Sequence, residues 1–89
     1  MGPAVDSSDS SDSGGLAIAA GLAVSRLSTR QLWWDYITMG GSHNLGALED
    51  YMSGRTTWSR YQHDFAAQAL NDYFVESGLD HIVAYSDEL

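Results

Sequence analysis

Cysteine and lysine are absent from this 89-residue chain, and proline occurs once. Without cysteine the protein has neither disulfides nor thiolate ligands for a metal, so burial of apolar side chains has to stabilise it. Four basic residues stand against 12 acidic ones, and the formal net charge is −8. Binding to a phosphate backbone depends on cationic side chains, so we expect no nucleic-acid partner. The acidity suits docking to a basic protein surface, and ordinary solvation of the surface is the alternative explanation.

Long apolar runs are also missing. The most apolar stretch, residues 16–27, is shorter than the roughly 20 residues that cross a bilayer, and no basic region precedes it as in a secretory signal. We therefore predict a cytoplasmic protein without a membrane partner. The stretch is typical of a helix that either packs on the domain or detaches from it. The apolar side that is predicted to face the core or another molecule consists of Leu16, Ala19, Ala20, Ala23 and Leu27.

Residues 1–15 consist mainly of serine, aspartate and glycine. A segment of this composition buries too little apolar surface to offset the entropy of ordering, which predicts a disordered acidic tail. Residues 16–89 then form a single helical domain.

The clearest helical pattern covers residues 57–77. Thr56 or Thr57 is predicted to cap its start, and Gly78 to end it. At about 100° per residue, its apolar side chains share one broad side. The apolar side consists of Trp58, Tyr61, Phe65, Ala66, Ala69, Leu70, Tyr73 and Phe74. The opposite, polar side consists of Arg60, His63, Asp64, Gln68, Asn71 and Asp72.

Two shorter helices are predicted before the long one. Ser28 or Thr29 is predicted to cap the first helix. Gln31 completes a capping-box pattern with Ser28, and Gly40 and Gly41 end the helix. Trp34 falls on the flank of this helix and is predicted to be partly exposed. The buried side of the first helix consists of Leu32, Trp33, Tyr36 and Ile37.

The second short helix is predicted over Leu45–Met52, with Ser42 or Asn44 as its cap. The C-terminal segment, which follows the long helix after Gly78, is predicted to be extended coil. Its Val83 and Tyr85 are predicted to pack over the core. The predicted fold is therefore all-α, a small bundle of three to four helices. The buried side of the second short helix consists of Leu45, Leu48 and Met52.

The three histidines are the strongest candidates for catalytic or metal-binding residues, but their spacing is not that of metal ligands. His43, His63 and His81 lack the paired or helical spacing of a zinc site, which predicts exposed side chains and no metal. No nucleophile elbow or glycine-rich phosphate loop is present, so we predict no catalytic residues and no cofactor. An enzyme or metal protein that uses His43, His63 and Asp64 is the least favoured alternative.

The sequence DYITMGGSHNLGAL, residues 35–48, resembles the attachment motif of acyl and peptidyl carrier proteins. In that family, two aromatics, a leucine and paired glycines precede a serine that carries phosphopantetheine at a helix start. The resemblance implies modification at Ser42. The family's serine follows the second glycine by two places, where this chain has His43, and the alternative explanation is that Gly-Gly-Ser ends one helix and caps the next.

A broader pattern covers residues 30–89 and consists of RQLWWDY, GG, LEDYMSG, QHDFAAQALNDYF and GLDHIVAY. It resembles short uncharacterised proteins of high-GC actinobacteria, which implies a compact cytoplasmic domain.

The sequence favours a non-enzymatic module for protein–protein interaction or regulation, with an acidic surface. Its partner is another protein or a second copy of the chain. Trp34, Glu49 and Asp50 are the residues predicted to bind the partner, because an exposed aromatic and free carboxylates suit a basic surface. The alternative is a carrier-like domain modified at Ser42.

Overall fold

In a computed structural model, the backbone of residues 2–79 and 82–89 and the side chains of residues 14–79 and 82–89 are described. Within these ranges the fold is all-α and has no strand, which confirms the predicted helical bundle. None of the helices within these ranges combines the length and the hydropathy that a membrane-spanning segment requires. The elements are α1 (Gly2–Ser25), α2 (Thr29–Thr38), α3 (Leu45–Met52), α4 (Arg60–Glu76) and a C-terminal 3₁₀ turn (Ser86–Glu88).

Most of the predicted disordered tail, residues 1–13, lies outside the described side chains, and its disorder stays a prediction. Gly14 and Gly15, which that prediction included, are buried in α1. A Cβ atom on Gly15 would lie 1.8 Å from the carbonyl oxygen of Tyr51, so the glycine lets α1 approach α3 closely. The helix predicted over residues 16–27 packs on the domain through Ile18, which is completely buried.

The predicted apolar side of α1 largely faces solvent. Leu16, Ala20 and Ala23 are exposed, whereas Ile18 and Gly21, which were not part of that prediction, face α4 and the core. Glycines lie beside Ile18 on the buried side because α1 packs close to its neighbours, so side-chain size alone does not identify that side.

Side-chain caps begin the three later helices. Ser28 and Asn44 accept hydrogen bonds from backbone N–H groups three residues on, at 3.0 and 2.8 Å, and each is one of the two caps predicted for its helix. The predicted cap of α4 is wrong: Ser59, not Thr56 or Thr57, accepts the equivalent bond at 3.4 Å. Trp58 therefore precedes the helix.

The capping box predicted for α2 forms only in part. The Gln31 N–H donates to Ser28 Oγ, but the Gln31 side-chain amide donates to Asp35 Oδ1 at 3.1 Å. The Gln31 side chain therefore points along the helix.

The ends of α2, α3 and α4 share one construction. A glycine with positive φ follows each helix, its N–H bonds to a carbonyl three residues back, and the next N–H bonds to a carbonyl five residues back. This is the Schellman motif, in which glycine adopts the left-handed conformation without steric cost. The three glycines are Gly40 (φ 118°), Gly54 (φ 82°) and Gly78 (φ 90°), and the ends predicted at Gly40 and Gly78 are confirmed.

The buried side of α4 differs from the predicted one. His63 and Asn71, predicted to be exposed, are each 2% exposed, whereas Tyr61, predicted to be buried, is 72% exposed. This side of α4 is buried because the C-terminal segment lies over it and bonds to His63 and Asn71. The core consists of Ile18, Leu32, Tyr36, Leu48, Tyr51, Ala66, Ala67, Ala69, Leu70, Phe74 and Val83.

Tyr51 is the buried residue of α3 that the pattern missed. Leu48 is completely buried as predicted, while Leu45 and Met52 are only half-buried. In the C-terminal segment, Val83 is buried and Tyr85 packs partly against the core, as predicted. The last turn is 3₁₀ helix instead of extended coil.

Candidate functional site

The predicted partner-binding residues lie on two different helices. Trp34 is 52% exposed on α2 and contacts Trp33, with ring centroids 5.3 Å apart. Glu49 and Asp50 lie on α3, where Asp50 forms an ion pair with Arg55 at 3.1 Å. The contacts of these residues do not join them into one surface, so their shared role in binding stays a prediction.

Ser42 lies in a loop that Tyr36 organises. The backbone N–H groups of Ser42 and His43 donate to the Tyr36 hydroxyl at 3.2 and 3.0 Å, and that hydroxyl donates to Gln62 Oε1. A Cβ atom on Gly41 would lie 2.2 Å from the Tyr36 ring, so glycine is required for this close approach. Packing against Tyr36 therefore accounts for the second glycine of the Gly-Gly-Ser sequence.

The position of Ser42 differs from that of a serine at a helix start. Its side chain is exposed, but the N-cap of α3 is Asn44, two residues further on. The resemblance to carrier proteins consequently does not extend to the location of the attachment serine.

An aromatic cluster joins this loop to α2 and α3. The Trp58 ring stacks on Tyr51, His43 and Tyr36, with centroids 4.4, 4.6 and 5.1 Å away. Burial raises the pKa of Tyr36, and the N–H groups of His43 and Ser42 oppose part of that rise. The cluster fixes the segment between α3 and α4.

His63 is held by two neighbours inside the protein. Its Nε2 donates to the carbonyl oxygen of Ala84 at 2.8 Å, because a carbonyl only accepts. Its Nδ1 lies 2.7 Å from the Tyr51 hydroxyl. Both ring nitrogens are therefore occupied, which corrects the prediction that this histidine is exposed. His43 is half-buried in the aromatic cluster, and His81 lies outside the described residues.

Tyr51 is poorly suited to act as a base or nucleophile. Burial, with a smaller contribution from the Asp64 carboxylate, raises its pKa to about 12. The hydroxyl therefore stays protonated at neutral pH, and it donates a hydrogen bond to His63 Nδ1. This pair links α3, α4 and the C-terminal segment, and its chemistry is that of a structural hydrogen bond.

A second arrangement of polar groups lies between α2 and α4. A groove of about 240 Å³ has three carboxylates on its walls, from Asp35 on α2 and from Asp72 and Glu76 on α4. None of the described residues that line it is basic. The other lining residues are Thr38, Met39, Ala69 and Tyr73. We call this feature the acidic groove.

The carboxylates of the acidic groove are not neutralised within the described part of the chain. Asp35 and Asp72 accept hydrogen bonds from the neutral amides of Gln31 and Gln68, at 3.1 and 2.5 Å. The one ion pair among the described side chains involves Asp50. No group of histidine, aspartate and glutamate residues in that part is arranged to hold a metal ion. The groove therefore presents uncompensated negative charge.

Two larger cavities among the described residues carry mixed charge, since Arg60 and Asp87 line both. One of about 620 Å³, beside the C-terminal turn, is lined by Arg60 together with Asp64 and Asp87. The Asp64 carboxylate is occupied there, because it accepts from the Ser86 N–H at 2.7 Å and the Ser86 hydroxyl at 2.9 Å. Compared with these two cavities, the acidic groove has charged lining residues of a single sign.

Comparison with protein-family models, curated proteins and solved structures finds no match to this chain. The resemblance to short actinobacterial proteins therefore stays an expectation.

Sequence reasoning missed the acidic groove because its walls come from two helices. Asp72 and Glu76 are four residues apart, which places them on one side of α4, and this signal is visible in the sequence. Asp35 joins them only through the packing of α2 on α4. His63 and Asn71 are eight residues apart and also share a side, but only the position of the C-terminal segment reveals that this side is buried.

Proposed function

We propose that the protein is a non-enzymatic interaction module whose acidic groove binds an arginine-bearing segment of a basic partner protein. The observation that carries the proposal is the set of three carboxylates, from Asp35, Asp72 and Glu76, around a groove with no basic lining residue. The net charge of −8 supports it, because long-range attraction increases the rate of encounter with a cationic surface.

Arginine suits this groove better than lysine. A guanidinium group donates in a planar fork that matches carboxylates, and it stacks on aromatic faces. Tyr73 lines the groove and is 37% exposed, so an aromatic face lies beside the carboxylates. Ala69 and Met39 provide apolar surface for the methylene stem of the same side chain.

Trp34 extends the proposed surface. It precedes Thr38, a residue of the groove wall, by one turn of α2, so the two side chains are neighbours on the helix. An exposed tryptophan next to a charged groove is a typical anchor of a protein interface. The sequence-based choice of Trp34 therefore fits this proposal, whereas Glu49 and Asp50 lie on α3.

A binding role, as opposed to catalysis, also agrees with the state of the buried histidine and tyrosine, side chains that act as general acids and bases in enzymes. His63 uses both ring nitrogens within the fold, and Tyr51 holds its proton to a pKa of about 12. Neither has a lone pair or a proton directed at a substrate, and general acid–base catalysis requires one.

The direct test is a titration of the protein into a fluorescein-labelled oligoarginine peptide, followed by fluorescence polarisation. We expect binding that weakens steeply as salt rises from about 50 mM to about 500 mM, because exposed charges are screened. Replacing both groove carboxylates of α4, in Asp72→Asn/Glu76→Gln, should weaken binding about three- to tenfold, since an exposed charge pair contributes up to about 1 kcal/mol.

The matched control removes the same charge from α3, in Glu49→Gln/Asp50→Asn. This variant should bind the peptide within about twofold of the unmodified chain, because its carboxylates lie outside the groove. Equal loss in both variants would mean that net charge alone attracts the peptide. A larger loss in the α3 variant would place the site at Glu49 and Asp50 and contradict the groove.

A further inference from the structure

The C-terminal segment, residues 82–89, lies on α4 and is bound there mainly through its main chain. His63, Ala67 and Asn71 follow one another at intervals of four residues, so they share one side of the helix. Ala67 is completely buried between the two polar residues. A small residue at this position leaves room for a main chain to pass over the helix.

Most polar bonds to this segment go to its main chain. Asn71 Oδ1 accepts from the N–H groups of Ile82 and Val83, both at 2.9 Å, and Asn71 Nδ2 donates to the Val83 carbonyl at 2.8 Å. The next residue of the segment, Ala84, accepts a hydrogen bond through its carbonyl from His63 Nε2. The helix therefore binds the main chain of the segment through its own side chains.

One apolar side chain anchors the segment. Val83 is buried against α1 and α4, and a Cβ atom on Gly21 would lie 2.4 Å from Val83 Cγ2 and 3.3 Å from Leu70 Cδ1. The missing side chain of Gly21 thus forms the notch that receives Val83. We call the surface formed by Gly21, His63, Asp64, Ala67, Leu70 and Asn71 the tail groove.

We propose that the tail groove also binds the C-terminal segment, residues 82–89, of a second copy of this chain, so that two copies exchange their segments. The occupant is specified by the groove itself, because the Val83 notch and the bond from Ser86 to Asp64 fit this sequence. In such an exchange every contact within the groove is retained, and only the connection after α4 changes its path.

Gly78 is the hinge of the exchange. Its φ of 90° turns the chain back along α4 at the end of the helix, and a Cβ atom there would meet nothing within 4 Å. A side chain at this position disfavours the turn through the backbone alone, without a clash. An extended backbone at Gly78 would carry the segment away from its own groove.

The exchange is independent of the proposed binding of basic partners, and salt separates the two. Each copy has a net charge of −8, so two copies repel and screening favours the dimer. Binding of an arginine peptide is expected to weaken under the same conditions.

Two complementary variants of the full chain test the proposal. Asn71→Ala has a defective tail groove and an intact segment, whereas Val83→Asp has an intact groove and a defective segment. Each variant alone should be monomeric in sedimentation velocity at moderate salt, and an equimolar mixture should form a heterodimer with one exchanged segment. Two folded variants that remain monomeric when mixed would overturn the proposal.

Gly78→Val carries the test if either variant fails to fold. Valine disfavours the left-handed turn at residue 78, and the dimer contains this hinge twice. The substitution should therefore lower the dimer dissociation constant at least about tenfold relative to the unmodified chain. Gly46→Ala is the control, because residue 46 lies within α3 and its new Cβ atom would meet only Asn44 Oδ1, at 3.6 Å. An unchanged dissociation constant in Gly78→Val, or an equal change in the control, would contradict the hinge and the exchange.

Discussion

Helix α4 carries polar side chains on two of its sides, and their surroundings are opposite. On the side toward the C-terminal segment, His63 and Asn71 are buried, and each bonds to main-chain groups of that segment. On the side toward α2, Asp72 and Glu76 line the acidic groove without a basic neighbour among its described lining residues. The first set stabilises the fold, and the second is available to a partner. Polarity of a residue therefore does not by itself indicate exposure.

The largest effect is expected from removing the buried amide. Asn71→Ala leaves two N–H groups and one carbonyl of the C-terminal segment without partners, which should lower the free energy of unfolding by roughly 3 kcal/mol. Urea denaturation followed by circular dichroism measures it. Asp72→Ala, one residue further on, is the matched control and should change stability by less than about 0.5 kcal/mol. Equal effects would remove the distinction between the two sides.

An intermediate effect is expected at the Tyr51–His63 pair. Tyr51→Phe leaves His63 Nδ1 without its donor and should lower the free energy of unfolding by about 1–2 kcal/mol at neutral pH. The unfolded chain loses the Tyr51 proton near pH 10, while the folded chain retains it to about pH 12. The stability of the unmodified chain should therefore fall as pH rises through that interval.

The pH dependence of Tyr51→Phe sharpens this prediction. The variant has no proton to lose at position 51, so its stability should fall less between about pH 9.5 and about pH 11.5 than that of the unmodified chain. Denaturant melts at several pH values measure the two slopes. Parallel slopes would show that the Tyr51 hydroxyl is not held in its protonated form.

The smallest effect, with the opposite sign, is expected on the α2 side. Asp72 and Glu76 repel each other across one turn, and Glu76 is the last residue of α4, where a negative charge opposes the helix dipole. Asp72→Asn/Glu76→Gln should thus raise the free energy of unfolding by a few tenths of a kcal/mol, up to about 0.5. Thermal melts at low salt measure the gain. A loss of stability would mean that these carboxylates serve the fold.

Local signals in the sequence predicted most of the helix boundaries. Helix caps and left-handed turns depend on nearby residues, so the sequence alone indicates them. This holds for the caps Ser28 and Asn44 and for the helix-ending glycines Gly40 and Gly78. Two helices differ from the prediction. The first was predicted over residues 16–27 and spans Gly2–Ser25, and Ser59 instead of an earlier threonine caps α4.

Burial was harder to predict because it depends on distant parts of the chain. His63 and Asn71 are buried only because the C-terminal segment brings hydrogen-bond partners to them, and Tyr61 is exposed because no element covers it. The acidic groove likewise needs Asp35 from another helix. A hydrophobicity pattern along one helix contains none of this information.

The most direct test of the account is a ¹H–¹⁵N NMR titration of the full chain with an oligoarginine peptide. We expect shifts only in the groove region, with the signals of residues 82–86 and of the Asn71 side-chain amide unmoved. The residues expected to shift are Trp34, Asp35 and Thr38 on α2 and Asp72, Tyr73 and Glu76 on α4. Shifts centred on Glu49 and Asp50, or displacement of the C-terminal segment by the peptide, would contradict the division of α4 into a side that stabilises the fold and a side that binds a partner.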